Sequence, residues 1–168
     1  MTIQEFVFYG LKRDIPTLLP NNGQSLEIGP GEYPVHADVT LDWPDWDADH
    51  HKIPFNDETF DVIHAYNILE HLSDPISVLR ECERVLKPGG HINITVPHAC
   101  VEIAHCDLDH KHTFTEESWK NLFANHGYEK NRLNPWRLKV HANFICGVTF
   151  RNLLVFTQLI KSRNMEIK

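Results

Sequence analysis

The stretch from Phe60 to Pro97 restricts the fold more than any other part of the chain. Phe60-Asp61-Val62-Ile63-His64-Ala65 is rich in apolar and β-branched residues and reads as a strand. Ser73 predicts a helix N-cap, and Pro75 suits the first turn that follows. Ile76, Leu79, Cys82 and Leu86 then recur at spacings of three, three and four, which puts them on one helical face. Glu83 and Lys87 are set for an i,i+4 pair on the exposed side. Pro88-Gly89-Gly90 predicts the helix stop, and His91-Ile92-Asn93-Ile94-Thr95-Val96 alternates like a strand up to Pro97. A strand-helix-strand unit is parallel and right-handed in nearly all cases. An α/β fold is therefore expected, with a doubly wound, Rossmann-like, mostly parallel sheet.

Such sheets bind ligands outside the carboxyl ends of their strands, near the point where strand order reverses. Leu26-Glu27-Ile28-Gly29-Pro30-Gly31 has the form of that strand end. Glycine accepts φ > 0 and leaves no Cβ in a ligand's way, while Pro30 fixes its own φ and gives up a donor. Ala37-Asp38-Val39-Thr40-Leu41-Asp42 reads as the next strand and ends in an acid. Gly31 and Asp42 stand only eleven positions apart, fewer than the dozen or more residues of an ordinary parallel crossover. The first crossover is thus shortened, with Glu32-Tyr33-Pro34-Val35-His36 as a compact loop.

From Trp43 to His51, Asp45, Asp47 and Asp49 alternate with Trp46, Ala48 and His50, and Ile53-Pro54-Phe55 leads to a turn at Asn56-Asp57-Glu58. Residues 98–114 read as a polar loop. Thr115 predicts the cap of a helix with Glu116 and Glu117 in its first turn, Trp119, Leu122 and Phe123 on its apolar face, and His126-Gly127 at its end. Two apolar runs, Arg137–Ile145 and Val148–Leu159, predict a C-terminal antiparallel pair at the edge of a sheet of about six or seven strands. Residues 1–24 predict a leader that packs its aromatics on the core, so that 1–168 form a single domain.

The net charge of −7 argues against tight binding to duplex DNA, which depends on neutralising phosphates. Cys82, Cys100, Cys106 and Cys146 show no Cys-x-x-Cys spacing, which favours free thiols in a reducing, cytoplasmic compartment. No membrane span is expected, because the apolar run Phe6-Val7-Phe8-Tyr9 is broken at once by Gly10, Lys12 and Arg13.

Several segments, in this order, resemble the class I methyltransferases that use S-adenosylmethionine, particularly the small-molecule branch related to ubiquinone and menaquinone methyltransferases. They are Glu27-Ile28-Gly29-Pro30-Gly31, Asp49 through Phe55, Phe60-Asp61-Val62-Ile63, Ile68-Leu69-Glu70-His71-Leu72-Ser73-Asp74 and Arg84-Val85-Leu86-Lys87-Pro88-Gly89-Gly90. The resemblance covers about residues 25–125. It implies that Asp42 holds the ribose diol, since a carboxylate accepts from two hydroxyls. It implies that Asp49 accepts from the adenine amino group and that His50 offers its backbone N–H to the ring. Glu27, Gly29, Pro30 and Gly31 would line the methionine end, and Asn67 and Ile68 would face the sulfonium and the adenine. Two departures stand out: Tyr33 occupies the place of the family's third glycine, and the first crossover helix is nearly absent. Both also speak against a nicotinamide dinucleotide, whose pyrophosphate uses a third glycine and a full helix N-terminus.

The resemblance implies methyl transfer to a small-molecule acceptor by in-line displacement, leaving S-adenosylhomocysteine. Orientation alone can supply ~7–11 kcal/mol to such a step. A general base helps only if the acceptor must lose a proton, and histidine suits that role near neutral pH. His71, His98 and His110 are the candidates, with a hydrogen-bonded structural role as the alternative for His71. Asp107, His110, Phe114 and Thr115 resemble an Asp-x-x-His-x-x-x-Phe-Thr segment of some relatives and suggest a lid or acceptor-side wall. A metal is the rival reading of the cluster His105 to His112, and a solvated loop is the other. No helical His-x-x-x-His or paired Cys-x-x-Cys supports a metal, and none is assigned. Ala65-Tyr66-Asn67-Ile68 lacks the Asn/Asp-Pro-Pro-aromatic segment of amino-methylating DNA enzymes, and there is no Pro-Cys nucleophile there. The alternative from another class is a catalytically degenerate, methyltransferase-like binding or scaffold protein. Oligomeric state is not legible in the sequence.

Overall fold

The computed structural model describes residues 2–8, 11–17, 23–32, 34, 37–115, 117–119, 136–145 and 153–161, with backbone pairing alone for the strands at 2–17 and 136–161. Strands β1 (Thr2–Phe8) and β2 (Leu11–Thr17) form an antiparallel two-stranded sheet of their own. The expected packing of this leader's aromatics lies outside the described residues. The other elements are β3 (Ser25–Ile28), β4 (Val39–Leu41), β5 (Phe60–Tyr66), α1 (Pro75–Val85), β6 (Leu86–Pro97), α2 (Ile103–Cys106), β7 (Trp136–Ile145) and β8 (Leu153–Lys161).

Six strands make one sheet in the order β4-β3-β5-β6-β8-β7. The pairs β3–β4, β3–β5 and β5–β6 are parallel, and β8 runs antiparallel to both β6 and β7. Strand order reverses at β3: the chain goes first to β4 on one side and then to β5 on the other. Between Ile28 and Val39 none of the described residues is helical, so the shortened crossover is a loop there. Tyr33, Val35 and His36 lie outside the described residues.

One face of the sheet is apolar. Leu26, Ile28, Ile63, Ala65, Ile92 and Ile94 are fully buried and share a core with Val78, Leu79, Cys82 and Val85 of α1. Each such aliphatic side chain is worth roughly 1.5–3 kcal/mol when taken from water. The opposite face is polar yet also buried, and carries Glu27, His64, Asn93 and Thr95. Cross-strand register aligns Glu27 with His64 and His64 with Asn93. Parallel strands covered on both faces ordinarily read as continuous apolar runs; here they alternate. Burial, helped by the nearby His91, pushes His64 down to about 4, so the ring is neutral at pH 7 and meets the Tyr66 hydroxyl at 3.0 Å through Nδ1.

The structure corrects the expected boundaries of α1. Its N-cap is Asp74, not Ser73: Asp74 Oδ1 accepts from the N–H groups of Ile76 and Ser77 at 3.1 Å each. Ser73 is spent elsewhere, on Asp49. The helix stops at Val85, before Pro88-Gly89-Gly90, and its buried face is Val78, Leu79, Cys82 and Val85 rather than one running from Ile76 to Leu86. Leu86 already pairs with Phe60 in the sheet, and residues 87–90 bulge out before Val62 meets His91. A Cβ on Gly90 would come within 2.9 Å of the Asp61 and Lys87 carbonyls, so the bulge needs glycine there. Lys87 is therefore off the helix, and its Nζ pairs with Asp61 Oδ2 at 2.7 Å instead of completing a helical pair with Glu83.

Two further contacts fix the frame of the site. Arg84 on α1 donates to the Ile53 and Phe55 carbonyls at 2.8 Å each and to Asp57 and Glu81, tying the segment before β5 to the helix. Trp46, within the acidic run, is buried and donates to the Lys52 carbonyl. At the expected helix after residue 114, Thr115 Oγ1 accepts from Ser118 N while Ser118 Oγ accepts from Thr115 N, a reciprocal cap. Residues 117–119 are helical, and Leu122, Phe123 and the His126-Gly127 end lie outside the described residues.

Candidate active site

The glycine turn and the acid after β4 meet at the reversal of strand order. Gly29 (φ +61°) and Gly31 (φ +53°) both take the left-handed conformation. Gly29 N–H donates to the Leu41 carbonyl at 2.8 Å. Gly31 N–H donates to Asp42 Oδ2, and Trp43 N–H to Asp42 Oδ1, each at 2.9 Å. Asp38, the acid at the other end of β4, is bonded instead to Ser25 at the start of β3. Only Asp42 stands on the ligand side. A Cβ on Gly31 would meet nothing within 4 Å, so that side of the turn is open, whereas one on Gly29 would press on Ile68. Pro30 lies between them, partly exposed. Glu27 is buried one residue before Ile28, and its charge raises the proton affinity of the Tyr66 hydroxyl after burial has done so first.

Asn67 follows β5 directly. It is a non-glycine residue at φ +51°, and its Oδ1 is buried with no hydrogen-bond partner. Positive φ outside glycine is uncommon, though asparagine tolerates it better than most. Positive φ together with an orphaned buried acceptor at a strand end makes Asn67 a candidate for ligand contact.

Asp49 is brought to the same side by a long-range tie. Oδ1 accepts from Ser73 N at 2.7 Å, and Oδ2 accepts from Ser73 Oγ at 2.9 Å and Lys111 Nζ at 3.0 Å. Burial pushes this carboxyl up, but the hydrogen bonds from Lys111 and Ser73 outweigh it and hold the group below the ordinary carboxylate range. Oδ1 keeps a lone pair free for a further donor. His50 departs from its implied role: its N–H already donates to the Asp47 carbonyl at 3.2 Å, and its ring meets Asp47 Oδ2 at 2.9 Å.

The loop after β6 folds back over the segment after β5. The N–H groups of Lys111 and His112 both donate to the Glu70 carbonyl, at 2.7 and 3.1 Å. This brings two of the three candidate histidines together, with the His71 and His110 rings 4.6 Å apart between centroids and tilted by 74°. Burial, then the neighbouring His110, lowers His71 below its ordinary value. His98 lies apart from this pair in its contacts, forming an isolated bridge to Phe114 and a 2.9 Å contact from Nδ1 to Cys100 Sγ. Glu70 is 1% exposed, and burial pushes its carboxyl up to about 8. The ties of Ser73 and Lys111 to Asp49 were not legible in the sequence, because the partners lie far along the chain: Lys111 and Asp49 are 62 positions apart.

Beside the loop is a cavity of about 280 Å³ lined by Leu69, Leu79, His112, Phe114 and Trp119. Phe114 and Trp119 stack at 5.4 Å, and Trp119 Nε1 and His112 Nε2 are buried there without partners. Taken together, the orphaned Asn67 Oδ1, the open side of Gly31 beside Asp42, and the spare lone pair on Asp49 fit the polar groups of S-adenosylmethionine.

Comparison with known proteins agrees with this fold. Residues 35–94 match a family model described as a methyltransferase domain. An uncharacterized methyltransferase of Schizosaccharomyces pombe is 48% identical over 42 residues, 25% of this chain and 15% of that protein. A ubiquinone biosynthesis O-methyltransferase of Aliivibrio fischeri is 51% identical over 37 residues, 22% of this chain and 16% of that enzyme. The match thus spans about one sixth of these relatives' own length. Among solved structures, a SAM-dependent methyltransferase of Thermotoga maritima aligns with a TM-score of 0.65 at 16% identity, covering 86% of this chain and 84% of that one. A SAM-dependent methyltransferase of Archaeoglobus fulgidus aligns with a TM-score of 0.59 at 16% identity, covering 82% of this chain and 86% of that one. The chain therefore carries the class I methyltransferase fold, with the methyltransferase domain signature in residues 35–94.

Proposed function

We propose that the protein is an S-adenosylmethionine-dependent methyltransferase acting on a small-molecule acceptor. The carrying observation is Asn67, strained at φ +51° with a buried, unpartnered Oδ1, at the strand-order reversal beside the glycine turn. When bound, S-adenosylmethionine supplies an electrophilic methyl group on a sulfonium. Asp42 and Asp49 offer carboxylate oxygens for hydroxyl and amino donors, and Gly29 and Gly31 keep the turn free of side chains. Asn67 would offer its unpartnered Oδ1 to the positive end of the ligand. The loop 98–115, tied down through Glu70 and Asp49, excludes water from one side. His71 and His110 would take a proton from an acceptor that must lose one, a reading supported by their meeting at 4.6 Å, while His98 has contacts of its own.

The aromatic-lined cavity of about 280 Å³, just under the usual range for small-molecule sites, supports a small acceptor. The ubiquinone O-methyltransferase relatives favour the same class. The acidic net charge weighs against duplex DNA. We place the protein in the cytoplasm, in keeping with the free thiols of Cys82, Cys100 and Cys106. No described helix is long and apolar enough to cross a membrane.

Calorimetric titration with S-adenosylmethionine, S-adenosylhomocysteine and, as control, NAD tests the reading. Saturable binding of the two adenosyl ligands and none of NAD is the expected result. No binding of either adenosyl ligand by folded protein overturns it and favours a degenerate binding or scaffold role.

A further inference from the structure

Glu70, His71 and His110 meet where the loop after β6 covers the segment after β5, and one ligand atom from each lies within 4.8 Å of the others. Both carboxylate oxygens of Glu70 are buried without any hydrogen-bond partner. Leaving a buried polar oxygen without a partner is unfavourable. The backbone that carries this carboxylate is held firmly, since its carbonyl accepts two N–H groups from the loop. The group is therefore kept in place with nothing on the described residues to satisfy it.

His110 is oriented as a metal ligand is, with His71 beside it. His110 points Nδ1 at the Ala104 carbonyl at 3.4 Å, and the His71 ring lies edge-on to it at 4.6 Å between centroids. His110 thus turns one nitrogen to the backbone, the tautomer that leaves the lone pair on Nε2. His110 Nε2 stands 3.7 Å from Asp107 Oδ2. That is too long for a hydrogen bond but matches two ligands that share an ion about 2.0–2.2 Å from each.

We propose that Glu70, His71 and His110 form a binding site for a divalent first-row transition metal of the zinc class, with Asp107 in reach as a fourth ligand. Two imidazoles and a carboxylate are a donor set that such ions prefer over Mg²⁺ or Ca²⁺. The site begins three residues beyond Asn67. No spacing rule finds it, because His110 joins the adjacent pair Glu70-His71 only through the folded loop. The inference does not depend on S-adenosylmethionine binding, and an ion bound here replaces the proton-taking role of His71 and His110.

The test is a titration of the chelator-treated full chain with Zn²⁺ alone, by calorimetry, with Co²⁺ absorption as a second readout and no adenosyl ligand present. One ion per chain is expected, with affinity reduced at least tenfold in Glu70→Gln and in His110→Ala and unchanged in His105→Ala. Circular dichroism checks that each variant is folded, and the nearly isosteric Glu70→Gln carries the test if His110→Ala is not. Absence of saturable binding, or binding that survives Glu70→Gln, overturns the proposal. Either result leaves S-adenosylmethionine binding to be judged separately.

Discussion

Asp42 Oδ2 accepts the N–H of Gly31 at 2.9 Å, so the acid at the end of β4 is fastened to the glycine turn at the end of β3. Asp42→Ala removes that tie and the carboxylate together. The expected outcome is a loss of S-adenosylmethionine affinity of at least tenfold, about 1.4 kcal/mol, by calorimetry. Asp38→Ala, at the opposite end of the strand, should leave that affinity unchanged.

Asn67 should show a trade between stability and binding. In Asn67→Gly the positive φ is no longer strained and no orphaned oxygen is left. Denaturant unfolding is expected to show a variant at least as stable as the parent. Calorimetry is expected to show S-adenosylmethionine bound at least tenfold more weakly, the scale of a lost hydrogen bond to a charged group.

Gly29→Ala faces both a left-handed backbone and Ile68, whose Cγ1 lies within 2.9 Å of the added Cβ. The backbone alone costs roughly 1–2 kcal/mol for a residue with a Cβ. Urea melts should therefore give a larger loss than that, and the excess should disappear when the same change is made in an Ile68→Ala background. Equal costs in both backgrounds would mean that Ile68 moves aside freely.

Arg84 makes its contacts through a planar fork that lysine does not reproduce. Arg84→Lys leaves the Ile53 and Phe55 carbonyls short of a donor and should cost about 1–3 kcal/mol in denaturant unfolding.

His64 sets the acid limb of stability. Its folded value is about 4 against an ordinary 6.5. The contribution is complete above pH 6.5 and is lost as pH falls toward 4, because the unfolded ring takes up a proton that the folded one refuses. The slope for one proton is about 1.4 kcal/mol per pH unit. Unfolding free energies measured between pH 6.5 and 4 should fall less steeply in His64→Asn than in the parent.

The parallel unit from β5 to β6 and the glycine turn were readable because each repeats a short-range rule: apolar periodicity for one, strand-then-glycine for the other. The brevity of the first crossover was readable by counting. The α1 cap was misread because Ser73 has a better partner in Asp49, 24 positions away. Pro88-Gly89-Gly90 looked like a helix stop, whereas the glycines serve a bulge against Asp61, a contact only the folded sheet creates. The gathering of Glu70, His71 and His110 was hidden for the same reason. Trp46 sits in an acidic stretch that suggests solvent, yet its neighbours in space are core residues.

The shortened crossover also bears on how the molecule keeps to itself. Among the described residues β4 is the outermost strand on its side of the sheet and has three residues, Val39–Leu41. An open sheet border is a template on which a second chain can add a strand, and a very short border is one way in which proteins blunt that hazard. The loop that trims the nucleotide side of the fold thus leaves that flank with little backbone for another chain to copy.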